Sequence, residues 1–199
     1  MKKNPKKISE EVLHENPWWK CKKDIFEKPN GEQGEYYYGE TPGAVMLVPI
    51  MEDGKIMMTR QYRYLTGRYS VEFPCGGIKP GEKSRDAAER ELREETGAVP
   101  DEIISVGSFE PSNGWIKDLT HIYIVHVAEL TSQHLEDSED IEVLYRRPDE
   151  ISAMIRQNEI SCGQTLAAWA LAQNFFSTPQ SDEVAPGFKM ISDYFLPGE

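Results

Sequence analysis

Along the first half of the chain, apolar and aromatic positions recur with the short period of β structure and are broken by turn residues. Trp18 to Lys28 and Gly34 to Thr41 are two such runs, parted by Pro29-Asn30-Gly31. They predict a hairpin, or two strands of a small antiparallel sheet. Ala44 to Met51 is continuously apolar, the pattern of a buried strand. Glu52-Asp53-Gly54 turns the chain, and Lys55 to Tyr64 returns as another strand. Val71 to Cys75 predicts a short strand running into Gly76-Gly77. The period then lengthens to that of a helix. Ser84 is placed to cap it, and Asp86 in its first turn suits the positive end of the helix dipole. Gly97, with Pro100 beyond it, marks its end. Glu102 to Phe109, Thr120 to Glu129 and Asp140 to Tyr145 predict three further strands. A helix from Pro148 to about Glu159 follows, then another from Thr165 to Phe176, with Leu166, Trp169, Ala170 and Phe176 available for packing.

Both ends read differently. Residues 1–17 read as a mobile basic tip and a short helical stretch, Ser9 to His14, stopped by Pro17. Residues 177–187 read as a polar Pro/Ser/Asp linker, and Phe188 to Leu196 as an apolar tail able to dock, against a second subunit for example. Strands, helix, strands, helices is the order of an α+β or α/β sandwich on a mixed sheet, with an antiparallel β extension in front, and not of a doubly wound Rossmann sheet. The expected organisation is an extension over 1–41 that forms a dimer, a main domain over 42–176, and a linker and tail over 177–199.

Composition narrows the class. A chain of 199 residues suits one domain with a real core and is too short for two large ones. Acids outnumber Lys and Arg by 34 to 22, a net charge of −12, which argues against nucleic acid or an anionic membrane as partner. Phosphate substrates stay open if a divalent cation stands between them and the acids. No run approaches the ~20 apolar residues of a membrane span, and no apolar segment follows the basic N-terminus as a signal peptide requires. Cys21, Cys75 and Cys162 show no CxxC spacing, so neither a disulfide framework nor a cysteine zinc site is expected, in keeping with a reducing cytoplasm.

The candidate chemistry lies between Gly76 and Ala98. In a helix, Glu91, Glu94 and Glu95 stand at i, i+3 and i+4 and share a face. Ala87, one turn earlier, lies on that side and leaves space above it, while Ala88 and Leu92 face a sheet. Three carboxylates in one turn repel each other, and hard divalent cations with oxygen ligands offset that repulsion. Glu82 enters from the loop as a fourth acid, and Arg90 is placed to hold a carboxylate through a bidentate pair. Gly76 and Gly77 permit backbone that a Cβ would block, bringing carbonyls close to a metal, and Gly81 turns Glu82 inward. Acidic helices are ordinarily solvated faces. Here the spacing is fixed throughout: Gly76, five residues, Glu82, seven residues, Arg90-Glu91-Leu92, one residue, Glu94-Glu95, one residue, Gly97-Ala98.

This segment resembles the Nudix box, the glycine–loop–helix signature of hydrolases that cleave nucleoside diphosphates linked to another group. Only Ala98 departs, where the family has a larger aliphatic residue. Gly43 to Tyr64, ending Arg60-Gln61-Tyr62-Arg63-Tyr64, and Glu72-Phe73-Pro74-Cys75-Gly76 are similar to ADP-ribose pyrophosphatases, as are the two C-terminal helices. The likeness runs from about residue 17 to 176. It implies a Nudix-type α/β/α sandwich and a Mg²⁺-dependent enzyme (Mn²⁺ a substitute) that splits ADP-ribose into AMP and ribose 5-phosphate. It implies Glu91, Glu94 and Glu95 as Mg²⁺ ligands, with the Cys75 or Gly76 carbonyl completing the shell and Glu82 contributing through water. Mg²⁺ would neutralise the diphosphate oxygens and acidify a water for in-line attack.

A general base must take that water's proton. In the ADP-ribose branch it is often an acid on the loop after the box. Here that loop is Pro111 to Asp118, so Asp118 is the first candidate and Glu94 the second; an ordinary loop residue is the plain alternative for Asp118. The likeness gives Arg63 a substrate phosphate, against a surface arginine of an edge strand. Glu72 has two readings, a hydrogen bond to base or ribose and a strand-face salt bridge. Trp19 or Tyr37 would stack on the base, and Trp115 is a second stacking candidate; packing or a dimer interface is the alternative use of these aromatics. His121 reads as structural, and Cys75 as a small buried residue and not a nucleophile. Alternatives in substrate are GDP-mannose, another nucleotide sugar, NADH or a nucleoside triphosphate. A non-catalytic nucleotide sensor ranks below these, because every box acid is present. The expected partners are a small nucleoside diphosphate and a second copy of the chain.

Overall fold

The computed structural model describes residues 4–135 and 139–176. Two sheets carry the fold. The smaller has the order β1-β2-β3-β9, from β1 (Lys6–Glu15), β2 (Lys20–Glu27), β3 (Gln33–Glu40) and β9 (Ile116–Lys117). The larger runs β11-β5-β4-β10-β8, from β4 (Ala44–Ile50), β5 (Ile56–Arg63), β8 (Ala98–Phe109), β10 (Thr120–Leu130) and β11 (Ile141–Arg146). Two short strands join it, β6 (Arg68–Glu72) on β5 and β7 (Cys75–Gly77) on β4. β4 and β10 pair in parallel and the other pairs of this sheet are antiparallel, so it is mixed.

Alternation along β4 sends side chains to both faces. Val45 and Leu47 pack with Ala87, Ala88 and Leu92 of α1 (Ser84–Thr96). Met46 and Val48 face the other way, toward Ile151 of α2 (Pro148–Arg156) and Ala168 and Trp169 of α3 (Gly163–Ala172). A single-turn 3₁₀ helix, Gln173–Phe176, ends the described chain and stacks Phe176 on Trp169. The sheet is thus sandwiched between helices, and the α/β/α expectation holds. Among the described residues no helix is long and apolar enough to cross a membrane.

Several local expectations give way. Ser9 to His14 is not a helix but part of β1, paired with β2 along its length. Six residues cannot repay helix nucleation alone, whereas Lys7–Asp24, Lys20–Glu15, Lys22–Glu10 and Lys23–Glu11 tie the two strands side chain to side chain. Ser84 caps nothing: the N-cap is Lys83, and the Ser84 hydroxyl pairs with that of Tyr123 at 2.8 Å. The strand expected over 71–75 is broken at Phe73-Pro74, because Pro74 has no N–H for a ladder; its carbonyl instead accepts from Leu47 N–H at 2.9 Å. Ala87 is fully buried in the core with Ala88 and Leu92 and does not line the space beside the acids. Gly97 is the helix stop expected, left-handed at φ 69°, its N–H donating to Arg93 O at 3.0 Å. The linker and tail expected over 177–199 lie outside the described residues.

Candidate active site

The second half of α1 faces the end of β7, where two glycines leave the backbone bare. A Cβ on Gly76 would overlap the Glu91 carboxylate, so only glycine lets that acid lie against the strand. Above this contact opens a cavity of about 560 Å³, walled by Gly76, Gly77, Arg90, Glu91, Glu94, Asp118 and Glu139 among others.

Arg90 organises the acids. Its Nε and Nη2 donate to the two oxygens of Glu82 at 2.8 and 2.9 Å, and Nη1 to Glu91 at 2.6 Å and Glu94 at 3.0 Å. Nη2 also reaches the Gly77 carbonyl at 3.0 Å. One planar guanidinium spends all five donors and offsets the repulsion of three carboxylates. Glu82, which also accepts from Lys79 N–H at 2.8 Å, is held well below the usual carboxylate range, at about 2, by Arg90. With both oxygens engaged, it braces the arginine and does not line the cavity.

Glu95 turns from its neighbours into the protein. It is 3% exposed, accepts from Cys75 N–H at 3.0 Å, and burial pushes its pKa up to about 8. Burial also raises Glu91, against the pull of Arg90. Asp118 reaches the cavity as its position on the loop requires. Desolvation raises its pKa while the Thr41 hydroxyl draws it back, and its Oδ1 has no partner among the described residues. Burial pushes the Cys75 thiol up, against any nucleophilic use, and lowers His121.

Arg63 and Glu72 meet each other. Nε and Nη2 of Arg63 donate to the two Glu72 oxygens at 3.0 and 2.5 Å, and neither residue lines the acid-walled cavity. The strand-face salt bridge is therefore the reading of Glu72 that this geometry shows. Trp19, Tyr37 and Trp115 come together, with Trp18, around a second cavity of about 510 Å³ whose lining is mostly apolar. It shares Trp18 and Thr41 with the first. Sequence reading missed Glu139. Its signal was the acidic run Glu136 to Asp140 just before β11, which carried no helical or strand period to set it in a site.

A model of the NUDIX domain matches residues 40–164. The chain belongs to the Nudix family. Its relatives include the ADP-ribose pyrophosphatase of Bacillus subtilis strain 168, 28% identical over 144 residues, 71% of this chain and 78% of that protein. A methanol dehydrogenase activator of Bacillus methanolicus is 30% identical over 165 residues, 82% of this chain and 89% of its relative. Among solved structures, an ADP compounds hydrolase superposes with a TM-score of 0.75 at 20% identity, covering 87% of this chain and 95% of that one, which shows the shared fold. The resemblance read from the box and its flanks is borne out, and the protein is a Nudix hydrolase.

The residues of this Nudix hydrolase fit a hard divalent cation. The donors at the glycine turn are carboxylate and carbonyl oxygens, the set such ions take, and the Gly76 cradle brings Glu91 against backbone. No three acidic, histidine or cysteine groups already converge as a metal cage among the described residues. Arg90 stands between Glu91 and Glu94 instead. Glu91, Glu94 and Glu95 would hold such an ion, Glu91 and Glu94 on release from Arg90.

Proposed function

We propose that this Nudix hydrolase cleaves the diphosphate of ADP-ribose, giving AMP and ribose 5-phosphate, with Mg²⁺ as its metal and Mn²⁺ as a substitute. The observation that carries the reading is the junction of the two cavities. One offers acids and a glycine turn for a metal-bound diphosphate, and the next offers aromatic walls for a base. The relatives support it, since one is an ADP-ribose pyrophosphatase.

Glu91, Glu94, Glu95 and the Cys75 or Gly76 carbonyl would hold the metal, with Glu82 acting through Arg90. Bound there, the ion would neutralise diphosphate oxygens and acidify a water. The chain's own part is to place the groups. Arg90 keeps the acids from repelling each other, and Trp19, Tyr37 and Trp115 seat the adenine. Asp118 takes the proton as the water oxygen bonds to phosphorus and the bridging P–O bond breaks, its electron pair leaving with the departing phosphate. Glu139 lines the same cavity and is a second acid within the site, as is Glu94. Arg63 serves a substrate phosphate only on release from Glu72. The enzyme works as a cytoplasmic homodimer, its 1–41 extension carrying the dimer contacts.

The test is a phosphatase-coupled panel of ADP-ribose, GDP-mannose, NADH and dNTPs, with and without Mg²⁺. ADP-ribose should turn over fastest, yield AMP, and stop with EDTA. Faster cleavage of GDP-mannose or NADH would move the substrate and keep the chemistry. Turnover that survives Glu94→Gln combined with Glu95→Gln would remove the metal site.

A further inference from the structure

The loop that carries Asp118 is not self-supporting. Its last residues form β9, which pairs in parallel with the end of β3, Gly39 opposite Ile116 and Glu40 opposite Lys117. Gly39 N–H donates to Trp115 O at 3.0 Å and Thr41 N–H to Lys117 O at 3.2 Å. The approach is close: a Cβ on Gly39 would stand 3.3 Å from the Ile116 side chain. Lys117 pairs with Glu40 at 2.6 Å, and Glu40 also binds Lys22 of β2. Tyr36 donates its hydroxyl to Gly114 O at 2.5 Å. Thr41 is the last link: its N–H is bonded to Lys117, the neighbour of Asp118, and its hydroxyl, which accepts from Gly43 N–H at 3.1 Å, keeps its proton for the Asp118 carboxylate on the wall of the same cavity. It also lines both cavities, the acid-walled and the aromatic one.

The geometry points to Thr41 as a positioning residue, the end of a β3–β9 clasp that sets Trp115 against the base and Asp118 against the reacting water in one register. This rests on the reading of Asp118 as proton acceptor. A clasp of this kind turns binding of the base, remote from the reacting phosphorus, into orientation at the reaction centre. Its loss falls on kcat more than on KM.

The experiment compares Thr41→Val, Thr41→Ser and Asp118→Asn with the parent, using ADP-ribose and Mg²⁺, with kcat and KM measured separately. Hydrogen exchange is followed at the Gly39 and residue-41 amides. Thr41→Val should lower kcat about tenfold with KM within about twofold, and speed exchange at both amides about fivefold or more. Thr41→Ser should restore kcat to within about twofold. Asp118→Asn should lower kcat about a hundredfold or more. If Asp118→Asn is inactive while Thr41→Val keeps parental kcat and exchange, the clasp is wrong and the proton acceptor stands. If Asp118→Asn turns over normally, the acceptor is another group and the proposal falls with it. A Thr41→Ser protein as slow as Thr41→Val would overturn the role of the hydroxyl.

Discussion

At the scale of single residues, burial of Glu95 sets stability against the metal-binding role proposed for it. An unfolded glutamate titrates near 4.5, and this one is pushed to about 8 by burial. Between those values the unfolded chain has lost the proton and the folded one keeps it. Stability without metal therefore falls as pH rises through that window. Glu95→Gln keeps an acceptor for Cys75 N–H and removes the titration. In EDTA at pH 8 the variant should melt above the parent, by about 3 °C or more, and the gap should close toward pH 5. With Mg²⁺ the order should reverse, because only the parent gains a ligand. A parent whose melting temperature in EDTA is flat between pH 5 and 8 would refute the buried-acid account. Arg90 is the converse case. Arg90→Leu strips Glu82, Glu91 and Glu94 of their shared counter-charge. The expected cost is ~3 kcal/mol in metal-free urea melts, smaller with Mg²⁺ present. Equal losses in both conditions would mean that the arginine packs more than it neutralises.

At the scale of elements, what the sequence made legible was whatever is decided locally. The apolar run of β4, the hairpin turn at Pro29-Asn30-Gly31, and the acid spacing and glycine stop of α1 are short-range signals, and all three stand in the fold. What failed was decided by distant partners. β1 has a composition that suits a helix as well as a strand, and its ladder to β2 settles it. β9 is two residues long and exists because β3 templates it. Glu82 and Glu72 are acids whose roles depend on which arginine reaches them, and spacing does not state that. Gly97 tests the local kind. Its left-handed backbone disfavours a side chain, and a Cβ there would overlap the Thr131 carbonyl. Gly97→Ala should cost more than the ~1 kcal/mol of the conformation alone, read as a lowered urea midpoint. A loss below that would show that the 131–132 backbone moves aside freely.

At the scale of the whole molecule, the four-stranded sheet leaves apolar groups without a cover among the described residues. β1 is exposed along its length, with Ile8 50%, Val12 47% and Leu13 45% exposed. Ile8 and Leu13 each sit at an irregularity where the β1–β2 register shifts, so the strand is kinked twice and is a poor edge for open-ended strand addition. A closed contact between two copies, each giving its sheet face to the other, would bury this surface. Charge opposes the pairing, because two chains of −12 repel at long range. Salt shortens that repulsion to ~8 Å at physiological strength and leaves the apolar contact intact. Light scattering should therefore give twice the 22.7 kDa chain mass, with a dimer that tightens from 20 mM to 300 mM NaCl. Ile8→Asp with Leu13→Asp should loosen it about tenfold or more, with unchanged far-UV circular dichroism. A monomer at every salt concentration would refute the pairing, and a dimer weakened by salt would place its energy in ion pairs rather than in this face.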